Sequence, residues 1–162
     1  MVQKKRSKIA SLSSVLVAVD GSSSDEKAVR LACDLVEVNR GTVYIVYIIG
    51  MDRIYPVDAE VVPETSKGEA ILKMMEEMTR SYRCVTKAIL LQSRKAGPAL
   101  IQEAVDKKVQ ALVLGSMRHK TNPTSLLGET IPYVIINAPC DVILWHKNRF
   151  DDKSVSNISV DR

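Results

Sequence analysis

Aromatic side chains make up only 4% of this chain of 162 residues. No large ring can dominate its interior, so valine, isoleucine, leucine and methionine must fill it. Cysteine is also scarce. Cys33, Cys84 and Cys140 are odd in number and widely spaced, which excludes a disulfide framework and a cysteine metal site. Reduced, partly buried thiols are the expectation. The two histidines, His119 and His146, lie far apart and make no zinc pattern. No apolar run approaches the ~20 residues of a membrane span. The stretch from Ile9 to Val19 is too short, and too broken by serines, for a secretory signal. A soluble, cytoplasmic protein is expected.

Signature motifs of nucleotide and acyl chemistry are missing too. There is no Walker A sequence, no G-x-G-x-x-G after the first strand and no G-x-S-x-G elbow. Asp20 has no general-acid partner in view, and neither histidine belongs to a Ser-His-Asp set. An enzyme is therefore not expected. The net charge of +4 does not point to nucleic acid either. Five of the 23 basic residues sit at the ends, as Lys4, Lys5, Arg6, Lys8 and Arg162. The body of the chain is close to balanced, and a short basic head is usually a solvated tail.

What is present is a regular alternation. The chain is 46% hydrophobic, enough for one domain with a single core. Val15 to Val19 reads as a buried strand ended by the turn Asp20-Gly21. Ser23 and Glu26 have capping-box spacing for a helix with Ala28, Leu31, Ala32, Leu35 and Val36 on one face. Gly41 is its expected left-handed cap. Strand two is Thr42 to Ile49. Helix two is expected over about 64–82, with Ala70, Ile71, Met74, Met75 and Met78 as its core stripe. Strand three is Val85 to Leu91, and Lys87 within it predicts a sheet edge. Gly97-Pro98 opens helix three, Ala111 to Leu114 is strand four, helix four runs from near Gly128 to Asn137, and Val142 to Trp145 is strand five.

This order predicts an α/β fold with an open, doubly wound parallel sheet of five strands and helices on both faces. The expected organisation is a basic tail over 1–12, one domain over 13–147 and a polar, serine-rich, disordered tail over 148–162.

In such a sheet, ligands sit beyond the carboxyl ends of the strands, where the chain order reverses. Two segments would meet there: Asp20 to Ser23 after strand one, and Gly115 to Gly128 after strand four. A glycine at a strand end permits close backbone approach. A glycine at a helix start leaves N–H groups and the positive helix end facing a phosphate. Glycines at these places are also ordinary turn residues, so the residues alone leave both readings open.

Three segments carry a family resemblance. Val15 to Ser22, Ala111 to Ser116 and Ile136 to Leu144 resemble the first strand and turn, the fourth strand and the closing helix and strand of universal stress proteins. The resemblance spans about residues 13 to 146. It implies the strand order 3-2-1-4-5 and a homodimer joined through the last strand, here Val142, Ile143, Leu144 and Trp145. Members that bind ATP resemble one another in a pattern of Gly, two residues, Gly, nine residues, then Gly-Ser or Gly-Thr. Gly115 and Gly128 match its first and third glycines. Arg118 replaces the second, and Glu129 replaces the final Ser or Thr, with Thr130 one place late. Asp20 matches the nucleoside contact.

The implied site is thus a degraded ATP cleft of Asp20, Gly115, Ser116, Arg118, Lys120, Gly128, Glu129 and Thr130. Arg118 can pair with a phosphate from the side, helped by His119 and Lys120. Glu129 repels an anion and competes with it for the helix N–H groups. The expected function is a dimeric, non-catalytic stress-response regulator that binds ATP weakly or not at all. The alternatives are an adenine-nucleotide sensor and a regulator of a membrane transporter. No cofactor is firmly implied beyond ATP or another adenine nucleotide.

Overall fold

A computed structural model of the protein describes residues 11–59, 61–116 and 128–147. Strands and helices alternate throughout. The strands are β1 (Ser14–Val19), β2 (Thr42–Gly50), β3 (Val85–Ser93), β4 (Ala111–Ser116) and β5 (Asp141–His146). The helices are α1 (Asp25–Glu37), α2 (Val62–Thr79), α3 (Ala96–Asp106) and α4 (Thr130–Asn137). All strand pairs are parallel, and the sheet order is β3-β2-β1-β4-β5. Val15 sits at the centre, in register with Val43 on one side and Ala111 on the other.

The period of two along β1 sorts its side chains between two layers. Val15, Val17 and Val19 pack with α1 and α2, through Ala28, Val29, Cys33, Leu72 and Met75. Leu16 points the other way and packs with Leu100, Ala104, Ile131 and Val134 of α3 and α4. Both faces of the inner strands are covered, which is why those strands read as continuous aliphatic runs. Leu12, at the last position of the expected head, is already buried. The remainder of that head and the serine-rich tail from 148 lie outside the described residues.

Several local expectations shift. The first helix begins at Asp25 with Ser24 as its N-cap residue, one place later than the Ser23 cap. At its end the left-handed residue is Arg40, with φ 49°, and not Gly41. Gly41 is needed for another reason: a Cβ there would run into the backbone carbonyl of Ser13. In α2 the buried stripe is Gly68, Leu72, Met75 and Thr79, while Ala70 and Met74 face solvent. Gly68 sets this rotation, since its missing Cβ would lie 2.6 Å from Leu90 and 2.8 Å from Tyr47. Of the expected stripe, Met75 is in the core and Ile71 and Met78 pack against it. β3 does lie at the sheet edge, and Lys87 stands 5.9 Å over the Tyr44 ring, keeping its ammonium at the surface.

Candidate functional site

The turn after β1 is built from its own hydrogen bonds. Asp20 Oδ1 accepts the Ser22 N–H at 2.9 Å, an Asx turn. Gly21 takes φ +87°, a value that an L side chain rarely adopts. Asp25, the first residue of α1, folds its carboxylate back over this turn. Its Oδ2 accepts the Gly21 N–H at 2.7 Å, and both oxygens accept the Asp20 N–H at 3.2 Å. The Ser22 and Ser24 hydroxyls share a hydrogen bond of 2.8 Å.

Asp25 is only 3% exposed, and this sets its charge. Burial pushes its carboxyl up to about 7. The two N–H donors pull in the opposite direction, and the nearby Asp20 carboxylate pushes it up further. A group of this kind is half protonated near neutrality.

The opposite wall comes from β4 and α4. Gly115 lies against α1: a Cβ there would be 2.7 Å from Ser24 Oγ and 3.0 Å from Ser24 Cβ. The close approach that this glycine permits is therefore to the helix start and not only to a ligand. Gly128 differs from it. Its φ is +58° and no described residue lies within 4 Å of its Cβ position. Glu129 occupies the N-cap place of α4, and its side chain makes no cap hydrogen bond. The expected competition for the helix N–H groups is absent, because a Glu side chain is too long to cap from that position. Its negative charge at the rim remains.

Between the walls lies a cleft of about 300 Å³ at the carboxyl ends of β1, β2 and β4. Val46, Ile48, Leu100, Leu114 and Ile131 form an apolar part, and the two walls form the polar part. The structure thus brings together Asp20, Gly115, Ser116, Gly128, Glu129 and Thr130 from three chain segments. Arg118, Lys120 and His119 lie outside the described residues. Sequence reading missed Asp25 and Ser24, which also line the cleft. A signal existed for Asp25: it precedes Ala28 and Val29 by three and four residues, which places it on the buried face of α1.

Comparison with known proteins bears on this arrangement. A family model described as "Universal stress protein family" matches residues 12–146. The chain belongs to the universal stress protein family. Solved structures share its fold. A universal stress protein in complex with cAMP is 21% identical with TM-score 0.66, covering 83% of this chain and 97% of that one. One from Archaeoglobus fulgidus is 23% identical with TM-score 0.65, covering 81% and 91%. A family protein from Arabidopsis thaliana with AMP bound is 16% identical with TM-score 0.63, covering 88% and 97%. No curated protein sequence matches the chain. In this universal stress protein no described helix is long and apolar enough to cross a membrane.

Proposed function

We propose that this universal stress protein is a non-catalytic, dimeric regulatory domain whose cleft takes a weakly charged adenine ligand in preference to ATP. One observation carries this reading. The described residues around the cleft include three carboxyl groups, Asp20, Asp25 and Glu129. An apolar slot suits a purine, but a triphosphate entering beside those acids meets repulsion that a nucleoside does not. Similar folds have been solved with cAMP and AMP bound, which supports an adenine ligand in this cleft. The Ser22 and Ser24 hydroxyls are committed to one another, and no histidine or lysine stands beside them among the described cleft residues. That supports a binding role over nucleophilic catalysis.

The dimer would form along β5, the other sheet edge. Val142, Ile143 and Trp145 are half-buried there, Leu144 is 36% exposed, and Ile136 on the preceding helix is 79% exposed. A second reading, a sensor whose occupancy controls the dimer, is favoured by α4. This helix lines the cleft through Ile131 and leads within a few residues to β5.

Calorimetric titration of adenosine, cAMP, AMP and magnesium ATP into the purified protein tests the proposal. Affinity should fall from adenosine and cAMP through AMP to ATP, and Glu129→Ser should raise it for ATP. Micromolar ATP binding by the wild type, tighter than AMP, would overturn the reading. Light scattering with and without ligand decides between a fixed and a ligand-controlled dimer.

A further inference from the structure

The helix-to-strand connections meet at the amino end of the sheet, opposite the cleft. They are 38–41, 80–84, 107–110 and 138–140. Parallel strands bring every such connection to one end. Hydrogen bonds stitch them together. The Val85 N–H donates to the Gly41 carbonyl at 2.9 Å, and the Asp141 N–H to the Gln110 carbonyl at 3.3 Å. The entry to β1 is tied into the same face. Asn39 Nδ2 donates to the Ser11 carbonyl at 2.6 Å, and the Ser13 N–H to Gln110 Oε1 at 2.6 Å. The Thr42 N–H donates to the Ser13 carbonyl at 2.9 Å. Residues 1–10 therefore join the domain at this end.

The connections carry charge of one sign. They hold Arg40, Arg80, Arg83, Lys107 and Lys108 and no aspartate or glutamate. All of these cations are exposed. Among the described residues only Lys107 of this set has an ion pair, with Glu103 at 3.6 Å. The acids that border the connections in sequence are Glu37, Asp106 and Asp141. Glu37 is half-buried and accepts the Arg83 N–H at 3.2 Å. Residues 1–10 add Lys4, Lys5, Arg6 and Lys8, again with no acid. Helix ends attract cations, which accounts for those just after α1, α2 and α3. It does not account for Arg83 or for the head. Apolar groups stand among the charges. Val38 is 60% exposed and Val85 52%, and Tyr82 lines an open surface cleft with Arg40, Arg83 and Val85.

We propose that this end of the sheet, with the basic head, is a docking face for an anionic lipid bilayer. Lysines and arginines pair with the lipid headgroups, and the exposed valines and the tyrosine enter the interfacial layer beside them. A nucleic-acid strand matches the charge but not the rest of the face. Its phosphates gain nothing from Val38 and Val85, and one tyrosine makes no stacking platform. The contact is peripheral, since no described helix is long and apolar enough to cross a membrane. The ligand cleft, at the other end of the strands, faces away from the bilayer and stays accessible.

The test is sedimentation of the full chain with phosphatidylcholine vesicles of increasing phosphatidylserine content, at low and physiological salt. Binding should be absent on pure phosphatidylcholine, rise with phosphatidylserine and weaken as salt screens the charges. Arg80→Gln with Arg83→Gln should lower the partition coefficient about 25-fold, roughly fivefold for each cation near the surface. Arg53→Gln with Lys95→Gln removes the same charge from the opposite end of the sheet and should leave the coefficient nearly unchanged. All four side chains are exposed, so unfolding midpoints should match the wild type. Equal losses for the two pairs would reduce the effect to net charge and overturn the proposal. So would no binding at high phosphatidylserine and low salt, or tighter binding of a single-stranded RNA oligonucleotide than of vesicles at equal phosphate concentration.

Discussion

The two walls of the cleft are built on opposite plans. The β1–α1 wall is closed on itself: Asp20, Ser22, Ser24 and Asp25 satisfy one another, and Gly115 is wedged against Ser24. The α4 wall is open among the described residues, with no neighbour at the Cβ position of Gly128 and no side-chain cap from Glu129. A wall held by its own bonds fixes shape, and its sensitivity is to protons and packing. An open wall presents charge to solvent, and its sensitivity is to the ligand. Substitutions on the first should move stability, and those on the second should move affinity.

The largest effect is expected at Asp25. Its folded pKa, about 7, lies above the ordinary 3.8. Between those values the folded protein holds a proton that the unfolded chain gives up. Stability from this group is therefore full below pH 4, declines as pH rises and is lost by about pH 7. At about 1.4 kcal/mol per pH unit, the loss reaches at most about 4 kcal/mol. Asp25→Asn removes the titration, so urea unfolding across pH 4 to 8 should show the wild type declining relative to the variant. Parallel stability curves would show that the first wall does not respond to protons.

The two glycines give a sharper contrast. Gly115→Val forces a branched side chain into Ser24 and should cost about 2–3 kcal/mol by overpacking. Gly128→Ala meets no described neighbour, and its positive φ opposes it at about 1 kcal/mol. Thermal unfolding of both variants measures the difference. Equal losses would mean that the α4 wall is packed as tightly as the other and that the distinction between them fails.

The sequence made one of these walls far easier to read than the other. Aliphatic runs and turn residues revealed every strand and a parallel sheet, because burial on both faces and right-handed crossovers leave few arrangements, whereas the strand order came from the family resemblance. Asp20, Gly115 and Gly128 were visible as strand and helix ends. The role of Gly115 against Ser24 was not, since 91 positions separate them and only the closed sheet brings β4 beside α1. Asp25 looked like an ordinary acidic residue in a first helical turn. Its function depends on burial, which local spacing suggests but does not measure. The place of Gly68 on the buried face of α2 was missed for the same reason: it is fixed by contact with Tyr47 and Leu90, which come from two other strands.

The smallest effect, and the most specific, should come from Glu129. It is exposed and uncapping, so Glu129→Gln should leave the unfolding midpoint nearly unchanged. Removing one negative charge several ångströms from a phosphate chain should relieve ~1 kcal/mol of repulsion. ATP affinity should then rise about fivefold at low salt, less at physiological ionic strength, while adenosine affinity stays the same. Calorimetry with both ligands at two salt concentrations separates the possible causes. A rise for ATP alone that salt reduces assigns the effect to charge on the open wall. Equal rises for ATP and adenosine would mean that Glu129 shapes the cleft as Asp25 does, and the division of labour between the walls would be wrong.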